Sequence, residues 1–583
     1  MNTPKILATV FALTGISMSA RVVSAQTYQP SNRLPVADNT LNTQVSRSGN
    51  NFAVTGGITR GQNTFHSFQD FSVPTSSAIN FANPAGNQNV ITRVTGSLFS
   101  DINGTINTQG ANFLLINPNG VVFGPGTQLN IGKVFAASTA SSLDLADGSG
   151  KALTFGVNGV GDGALLSIDP KVIFNVSRLN LAGGSSEIKN FGTLQTNNSS
   201  QYIGLVGGNV TLDGGKINAP GGRIELGGLS APGSVEVATD GASQHLNFPT
   251  GVDRSNVTLN NQSRVNVAGA GGGDTTINAR NIDLLGDSVV RAGIEANSGT
   301  PNTVAGDINL NATGTIVVDN NSAIANNLRA NSQGRAGDVN VNANNVSLRQ
   351  QGVIQTYVNG QGDAGKVNLK VTGAVDIADK FSGINSLVSK QATGNAGDVT
   401  IKAGSLSLSN NATILSVSTG KGDSGNVSVE TKGATSLVSS DIFTNNEGTG
   451  KGGNLIIKAG VLSLQNSSTL SASSFGRGDA GNISVSTQGA VSLQDKNTGI
   501  STSIEAGGVG KGGNIDINAE SVSLRNGAQL ISANNGQGDA GKVSIFARNT
   551  VDFAGRNTAV FTDVKTGGKI GRASCRERVL MPV

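Results

Sequence analysis

The strongest constraint on the fold is a short motif that recurs nine times in the second half of the chain. Each copy is an Ala-Gly, Ser-Gly or Gly-Gly step followed by Asp, Lys or Asn, and then by Val, Ile or Leu. Successive copies lie 28 to 32 residues apart, and the second residues of the steps are Gly306, Gly337, Gly365, Gly397, Gly425, Gly453, Gly481, Gly513 and Gly541. A fixed period in this range is typical of stacked units that bury a core only against their neighbours. The chain is therefore predicted to be an elongated solenoid, which favours long surfaces over a single active-site cleft.

One repeat, residues 397–424, indicates what each unit is. Apolar residues alternate with polar residues over 399–402 and 405–408, and a third apolar-rich run spans 414–417. Period-two alternation bounded by Gly and Asn predicts short strands. Three strands in 28 residues leave room only for tight turns, so each unit is one coil of a parallel β-helix, stacked about 4.8 Å from the next. The predicted fold class is all-β: a right-handed parallel β-helix solenoid with an N-terminal cap.

Two columns of apolar residues support this stacking. One column lies two residues after each glycine and the other lies four after, and both are predicted to face the core. The columns are Val399, Val427, Leu455, Ile483, Ile515 and Val543, then Ile401, Val429, Ile457, Val485, Ile517 and Ile545. Some coils have four additional residues, which we expect late in the coil near a loop, where insertion is cheap.

Composition excludes a disordered chain and suggests a cap. Glycine accounts for 81 of 583 residues and charged residues for only 13%, which is too apolar and too periodic for disorder. Nine phenylalanines fall within residues 52–135, but only five within residues 271–555. Large aromatic residues at one end predict a cap that seals the open end of the stack.

Both ends of the chain depart from this pattern. Lys5 precedes an apolar run over residues 6–20, which predicts a signal peptide cleaved between Ala25 and Gln26. Residues 570–583 abandon the repeat and resemble the translation of a sequencing adapter, so we expect the natural protein to continue beyond Lys569. The two terminal segments each carry a net charge of +2, so without them the formal charge of +4 falls to about zero. The basic overall charge is therefore no evidence for nucleic-acid binding.

The most distinctive sequence segment in the chain spans residues 111–124, ANFLLINPNGVVFG. It predicts a strand, a tight turn and a second strand. Pro118 suits the second position of a β-turn and Gly120 the fourth, while the side chains of Asn117 and Asn119 can bond to the local backbone.

This segment resembles the N-terminal domain of filamentous haemagglutinin, the secretion domain of two-partner secretion exoproteins. Residues 65–71, 93–96 and 128–132 add to the resemblance, which covers residues 34–140 strongly and the repeats more loosely. It implies a secreted or cell-surface protein that crosses the periplasm and outer membrane through a dedicated transporter. The implied secretion motif is Asn117, Pro118, Asn119, Gly120 and Val121.

We therefore expect five segments. They are a signal peptide (1–25), a secretion domain (26–145), a continuation of the β-helix (146–305), the regular repeats (306–569) and the artefactual tail (570–583). After signal cleavage, no apolar run is long enough to span a bilayer.

The favoured function is a non-enzymatic, adhesin-like exoprotein whose shaft meets a surface glycan or cell receptor, with no metal or cofactor. The alternative is a polysaccharide-degrading enzyme of the pectate-lyase-like type, which would need carboxylates clustered on one face of adjacent coils.

The tripeptide Arg477-Gly478-Asp479 is a weaker receptor-motif candidate, because sister coils repeat its Gly-Asp as their own turn. The two histidines, His66 and His245, lie far apart and are interpreted as structural.

Overall fold

The computed structural model describes residues 27–83, 88–146, 152–157, 176–182, 186–195, 201–240, 243–565 and 572–577. Within these ranges the chain forms strands and turns and no helix, so no described segment is a helix able to span a membrane. The strands are numbered β1 to β55 in chain order. The predicted signal peptide and its cleavage site, Ala25 and Gln26, lie outside the described residues.

Most strands belong to three parallel faces that run the length of a β-helix, as predicted. The first face contains β5 (Asn63–Asp70), β7 (Asn89–Val94), β10 (Asn112–Ile116), β13 (Val134–Ser138), β19 (Tyr202–Gly207), β22 (Arg223–Gly228), β27 (Asp274–Ala279), β30 (Ile308–Ala312), β33 (Val339–Ala343), β36 (Val367–Val371), β39 (Val399–Ala403), β42 (Val427–Thr431), β45 (Leu455–Ala459), β48 (Ile483–Thr487), β51 (Ile515–Arg525), β53 (Val543–Ala554) and β55 (Ala573–Glu577).

The second face follows the first in each coil, and its last two positions are taken by the far halves of β51 and β53. Its other strands are β8 (Ser100–Ile102), β11 (Val121–Phe123), β17 (Ile188–Asn190), β20 (Val210–Asp213), β25 (Val257–Asn260), β28 (Ile282–Leu284), β31 (Thr315–Val318), β34 (Asn345–Leu348), β37 (Ala374–Ala378), β40 (Ser405–Ser409), β43 (Ala434–Val438), β46 (Val461–Gln465) and β49 (Ala490–Gln494).

The third face completes each coil and is made of two stacks, β3 to β12 and β18 to β54. Its strands are β3 (Asn51–Gly56), β6 (Ala78–Phe81), β9 (Thr105–Asn107), β12 (Gln128–Asn130), β18 (Thr193–Gln195), β21 (Lys216–Asn218), β26 (Arg264–Asn266), β29 (Val289–Ile294), β32 (Ala323–Leu328), β35 (Val353–Val358), β38 (Gly383–Val388), β41 (Thr413–Ser418), β44 (Asp441–Phe443), β47 (Thr469–Ser471), β50 (Gly499–Ser501), β52 (Gln529–Ile531) and β54 (Ala559–Phe561).

The largest core is a set of apolar columns inside the helix. All twelve residues of the two predicted columns are buried, with exposures of 2% or less. Strand register places Ile457 between Val429 below and Val485 above, so like side chains stack on like. The predicted orientation of both columns is confirmed.

The recurring glycines are required by the close approach of successive coils. At Gly453 a Cβ atom would lie 1.9 Å from the carbonyl oxygen of Gly425, in the coil before. The next residue reinforces the stack, because the backbone N–H of Asn454 donates to Oδ1 of Asn426 at 2.9 Å. The same bond joins equivalent residues along the shaft, among them Asp398 to Asn426, Asn454 to Asn482 and Asn482 to Asn514.

The expected place of the four additional residues is wrong. Relative to the coil that begins at Gly397, the coil that begins at Gly365 has one more residue at the first corner, one more at the second and two more at the third. Each corner is a turn between short strands that includes exposed positions, so each absorbs insertion at low cost.

Antiparallel strands close the N-terminal end of the helix. β1 (Val36–Ala37) and β4 (Ile58–Arg60) pair with the first-face strand β5, and β2 (Thr43–Ser48) pairs with β3. Antiparallel partners cover edges that would otherwise invite pairing with another chain. Inside, a run of contacting phenylalanine rings fills the first coils: Phe68, Phe71, Phe81, Phe113, Phe123 and Phe135. The predicted cap is confirmed.

A second, smaller core lies outside the helix. β14 (Ser142–Ala146), β15 (Ala152–Gly156), β16 (Val176–Leu181), β23 (Gly233–Asp240) and β24 (Ser243–Asn247) form an antiparallel sheet. Its apolar face packs against outward-facing residues of the first coils, including Phe65 and Ile91. Arg93 is buried and fastens the two layers, because its Nη1 donates to the carbonyl of Gly156 at 2.6 Å and its guanidinium lies over the Phe155 ring.

Candidate functional site

A tight turn joins β10 to β11 at the predicted secretion motif. The N–H of Gly120 donates to the carbonyl of Asn117 at 3.0 Å, and the N–H of Asn119 donates to Oδ1 of Asn117 at 3.0 Å. Gly120 has a φ of 115°, and a Cβ atom there would lie 2.9 Å from the carbonyl oxygen of Glu187. The turn geometry predicted from the sequence is therefore confirmed, and its fourth position requires glycine.

The side chain of Asn117 is part of the framework. It is fully buried, and its Nδ2 donates to the carbonyl of Leu98 and to Oγ of Ser100, both at 3.0 Å. Its backbone N–H donates to the carbonyl of Ser138. The side-chain amide of Asn117 thus holds the turn against the loop before β8. Asn117 therefore shapes the site although it is not accessible to a partner.

The accessible part of the site is a small surface that we call the 98–119 surface, made of Leu98, Phe99, Pro118 and Asn119. Leu98 and Phe99 are 48% and 42% exposed, which is high for neighbouring large apolar side chains. Asn119 is exposed, and its Nδ2 donates to the carbonyl of Gly96 at 2.8 Å. Of the five predicted motif residues, Pro118 and Asn119 reach the surface, whereas Asn117, Gly120 and Val121 are buried.

The segment before β1 borders this surface. Nη2 of Arg33 donates to the carbonyl of Phe99 at 2.7 Å, and its guanidinium lies 4.4 Å from the centre of the Phe99 ring. Further along the segment, the hydroxyl of Tyr28 donates to Asp101 at 2.6 Å. These contacts hold Phe99 in an outward-facing position. Sequence reasoning missed Leu98 and Phe99, because nothing in their local pattern separates them from buried apolar residues.

The tripeptide Arg477-Gly478-Asp479 lies at a coil corner, with Arg477 exposed. Oδ1 of Asp479 accepts the backbone N–H of Lys511 in the next coil at 2.9 Å. The sister residues Asp363 and Asp423 accept equivalent bonds from the next coil. This shared structural bond favours the interpretation of the Gly-Asp step as the turn of the repeat.

The two histidines have different surroundings. His66 is buried beside Phe81 in the capped end, and burial lowers its pKa to about 4. His245 is half-buried and lines a surface groove between the outer sheet and the helix. Among the described residues, no group of three or more His, Cys, Asp or Glu side chains is placed to hold a metal ion.

The groove contains a polar cluster that the sequence did not reveal. Glu225 points away from the helix core, yet it is only 1% exposed because the end of β24 covers it. It accepts a hydrogen bond from the Tyr202 hydroxyl at 3.0 Å, and Arg223 lies 3.7 Å from it and 2.8 Å from Asp274. Burial raises the pKa of Glu225 to about 7, although Tyr202 and Arg223 act in the opposite direction. Little in the sequence indicated this cluster, because Asp274 lies beside Arg223 only through the parallel pairing of β27 with β22.

The architecture defines the protein as a parallel β-helix closed by an N-terminal cap. Residues 35–277 match the family model of the TPS secretion domain. This match confirms the resemblance to that family predicted from residues 34–140. The matched stretch extends past residue 145 and takes in the outer antiparallel sheet.

Two solved structures are similar to this chain. The HMW1 secretion domain from Haemophilus influenzae is 16% identical and covers 76% of this chain and 98% of its own, with a TM-score of 0.46. A filamentous hemagglutinin secretion domain is 16% identical and covers 59% of this chain and 99% of its own, with a TM-score of 0.28. No curated protein matches the chain.

Proposed function

We propose that this protein is a non-enzymatic exoprotein exported to the cell surface or medium by two-partner secretion. The observation that carries the proposal is the match of residues 35–277 to the TPS secretion domain. The partner is an outer-membrane transporter whose periplasmic part recognises the N-terminal domain. The proposed segments are those of the sequence analysis: a cleaved signal peptide (1–25), a secretion domain (26–145), a continuation of the β-helix (146–305), the regular repeats (306–569) and an artefactual tail (570–583).

The 98–119 surface is the proposed contact for the transporter. It places two exposed apolar side chains beside an exposed amide, which is a common composition for the centre and rim of a protein contact. In this proposal Pro118 and Asn119 touch the partner directly. Asn117, Gly120 and Val121 contribute by fixing the shape of the turn.

The shaft is proposed to be adhesin-like, with a surface glycan or a cell receptor as its partner. Its stacked corners present a long series of exposed side chains on a constant backbone. Arg477-Gly478-Asp479 lies at one such corner, so it stays a candidate contact for a receptor.

Export is tested by fractionation. The full chain is expressed with and without a two-partner transporter encoded in the same genome, and its amount is measured in periplasm, cell surface and medium. Delivery to the surface or medium only with the transporter is the expected result. Delivery without the transporter, or retention in the periplasm despite it, would contradict the proposal.

A further inference from the structure

We propose that the groove beside Glu225 binds an acidic saccharide, an oligomer of uronate residues, without cleaving it. The groove has a volume of about 740 Å³ and lies on the outer side of the first face. Its floor is formed by outward-facing residues of β22, β27, β30 and β33, and its wall by residues 245–248 together with Arg254. This inference goes beyond the proposed export and does not depend on it.

The floor carries a ladder of primary amides. Nδ2 of Asn311 donates to Oδ1 of Asn278 at 3.2 Å, and Nδ2 of Asn342 donates to Oδ1 of Asn311 at 3.0 Å. A primary amide has two N–H donors and two acceptor lone pairs. Each ladder bond uses one donor and one acceptor, so the central amide of Asn311 retains one of each for a ligand. Sugar hydroxyls, which donate and accept, match this pattern.

The wall supplies a positive charge that no described carboxylate pairs with. Nη1 of Arg254 donates to the carbonyl of Asn311 at 3.2 Å, whereas its Nε is buried and has no partner. The other guanidinium in the groove, that of Arg223, is already engaged by Asp274 and Glu225. Arg254 is therefore the group that selects a carboxylate, which a guanidinium can bind through two parallel hydrogen bonds.

An apolar surface completes the site. The ring of Phe248 is half-buried, and the guanidinium of Arg254 lies 5.6 Å from its centre. One apolar face beside convergent polar groups is a common composition for a small-molecule site. A pyranose ring matches this arrangement, because its C–H face can pack on the Phe248 ring while the hydroxyls at its edge bond to the polar groups.

A polymer of like units fits this groove better than a peptide does. The amides repeat from coil to coil at the spacing of stacked parallel strands, about 4.8 Å. A ligand that uses several rungs must therefore repeat its own polar groups along its length. A peptide would also present apolar side chains, and the half-buried Phe248 is the least buried apolar partner for them among the lining residues.

The test is calorimetric titration of the purified full chain with tetragalacturonate and with a neutral galactose tetramer. We expect saturable binding of the acidic oligomer and at least tenfold weaker binding of the neutral one. Arg254→Gln is expected to weaken binding of tetragalacturonate at least tenfold, the effect of one charge-assisted hydrogen bond. Asn311→Ala leaves Arg254 in place and should still weaken binding of both oligomers severalfold.

Asn368→Ala is the matched control. Asn368 donates to Asn340 at 3.0 Å in a neighbouring amide ladder and does not line the groove, so its loss should leave both affinities unchanged. Absence of saturable binding, equal affinity in Arg254→Gln, or an equal loss in Asn368→Ala would overturn the proposal. Shortening of the oligomer by the wild-type chain but not by Glu225→Gln would overturn the non-cleaving assignment. The measurement uses protein from whichever compartment holds it, so it is independent of export.

Discussion

Replacing a single coil-anchoring glycine by alanine tests how tightly the β-helix is stacked. In Gly453→Ala the new Cβ atom would lie 1.9 Å from the carbonyl oxygen of Gly425, whereas ordinary contact begins at 3.4 Å. The two coils would therefore have to separate locally by about 1.5 Å, the difference between these distances. The backbone of Gly453 has no left-handed φ, so the penalty comes from stacking and not from backbone strain.

Two hydrogen bonds cross this contact and bound the size of the effect. The N–H of Val427 donates to the carbonyl of Asn454 at 3.0 Å, and the N–H of Asn454 donates to Oδ1 of Asn426 at 2.9 Å. A separation of this size breaks both bonds. Each broken bond costs about 1–2 kcal/mol when its groups stay partly buried, so the local loss should be about 2–4 kcal/mol.

Hydrogen exchange measured by mass spectrometry reports this loss coil by coil, which suits a repeat protein that does not unfold as one unit. Amides of β42 and β45 should lose protection in Gly453→Ala. Gly433→Ala is the matched control, because its Cβ atom would meet a single oxygen at 3.1 Å and its position is exposed. Protection in Gly453→Ala within about 0.5 kcal/mol of wild type, or an equal loss in the control, would refute the stacking argument.

Four further predictions concern the 98–119 surface, the cap and the core. Leu98→Ser combined with Phe99→Ser should lower the amount of secreted protein and raise the periplasmic amount, with exchange protection of the cap unchanged; normal export would contradict a contact there. Asn119→Ala should also reduce secretion without loss of expression, since its side chain is exposed. Burial lowers the pKa of His66 from 6.5 to about 4, so the folded cap holds this imidazole in its neutral form. The cap therefore has its full stability above pH 6.5, and it loses stability as the pH falls toward 4, because the unfolded chain binds the proton more readily. At pH 5 the cap should be about 2 kcal/mol less stable than at pH 7.5, and this difference should disappear from the exchange rates of His66→Phe. Ile457→Asp places a charge in a fully buried column and should cost more than about 4 kcal/mol locally, giving protease cleavage in that coil; unchanged resistance would contradict the assigned register.

The regular shaft was predictable because its determinants are local and repeated. Alternation around Val399 and Ile401 gives strand and face together, and the recurring glycines set the coil length. In a repeat protein, a coil whose strand positions are ambiguous can also be interpreted from the same positions in its neighbours. The corners were less predictable, because all three are turns between short strands and each can accept additional residues.

The outer sheet and the groove were not predictable from local pattern. β16 pairs with β23 across more than fifty residues of intervening chain, and only that pairing brings residues 245–248 over Glu225. The same limit applied at the secretion motif. The turn at Asn117 could be predicted from its own residues, but the exposure of Leu98 and Phe99 depends on bonds from Asn117 and Arg33 to that loop.

The uniform contact between successive coils has a consequence for how such a gene changes over time. Coils alternate in pairs of 56 or 60 residues, and each pair presents the same glycine and amide contacts above and below. Duplication or deletion of one pair by unequal recombination therefore leaves every remaining contact intact and changes the shaft length by about 10 Å. Related strains are expected to differ in shaft length by whole pairs of coils, so the reach of the protein can evolve without any new packing solution.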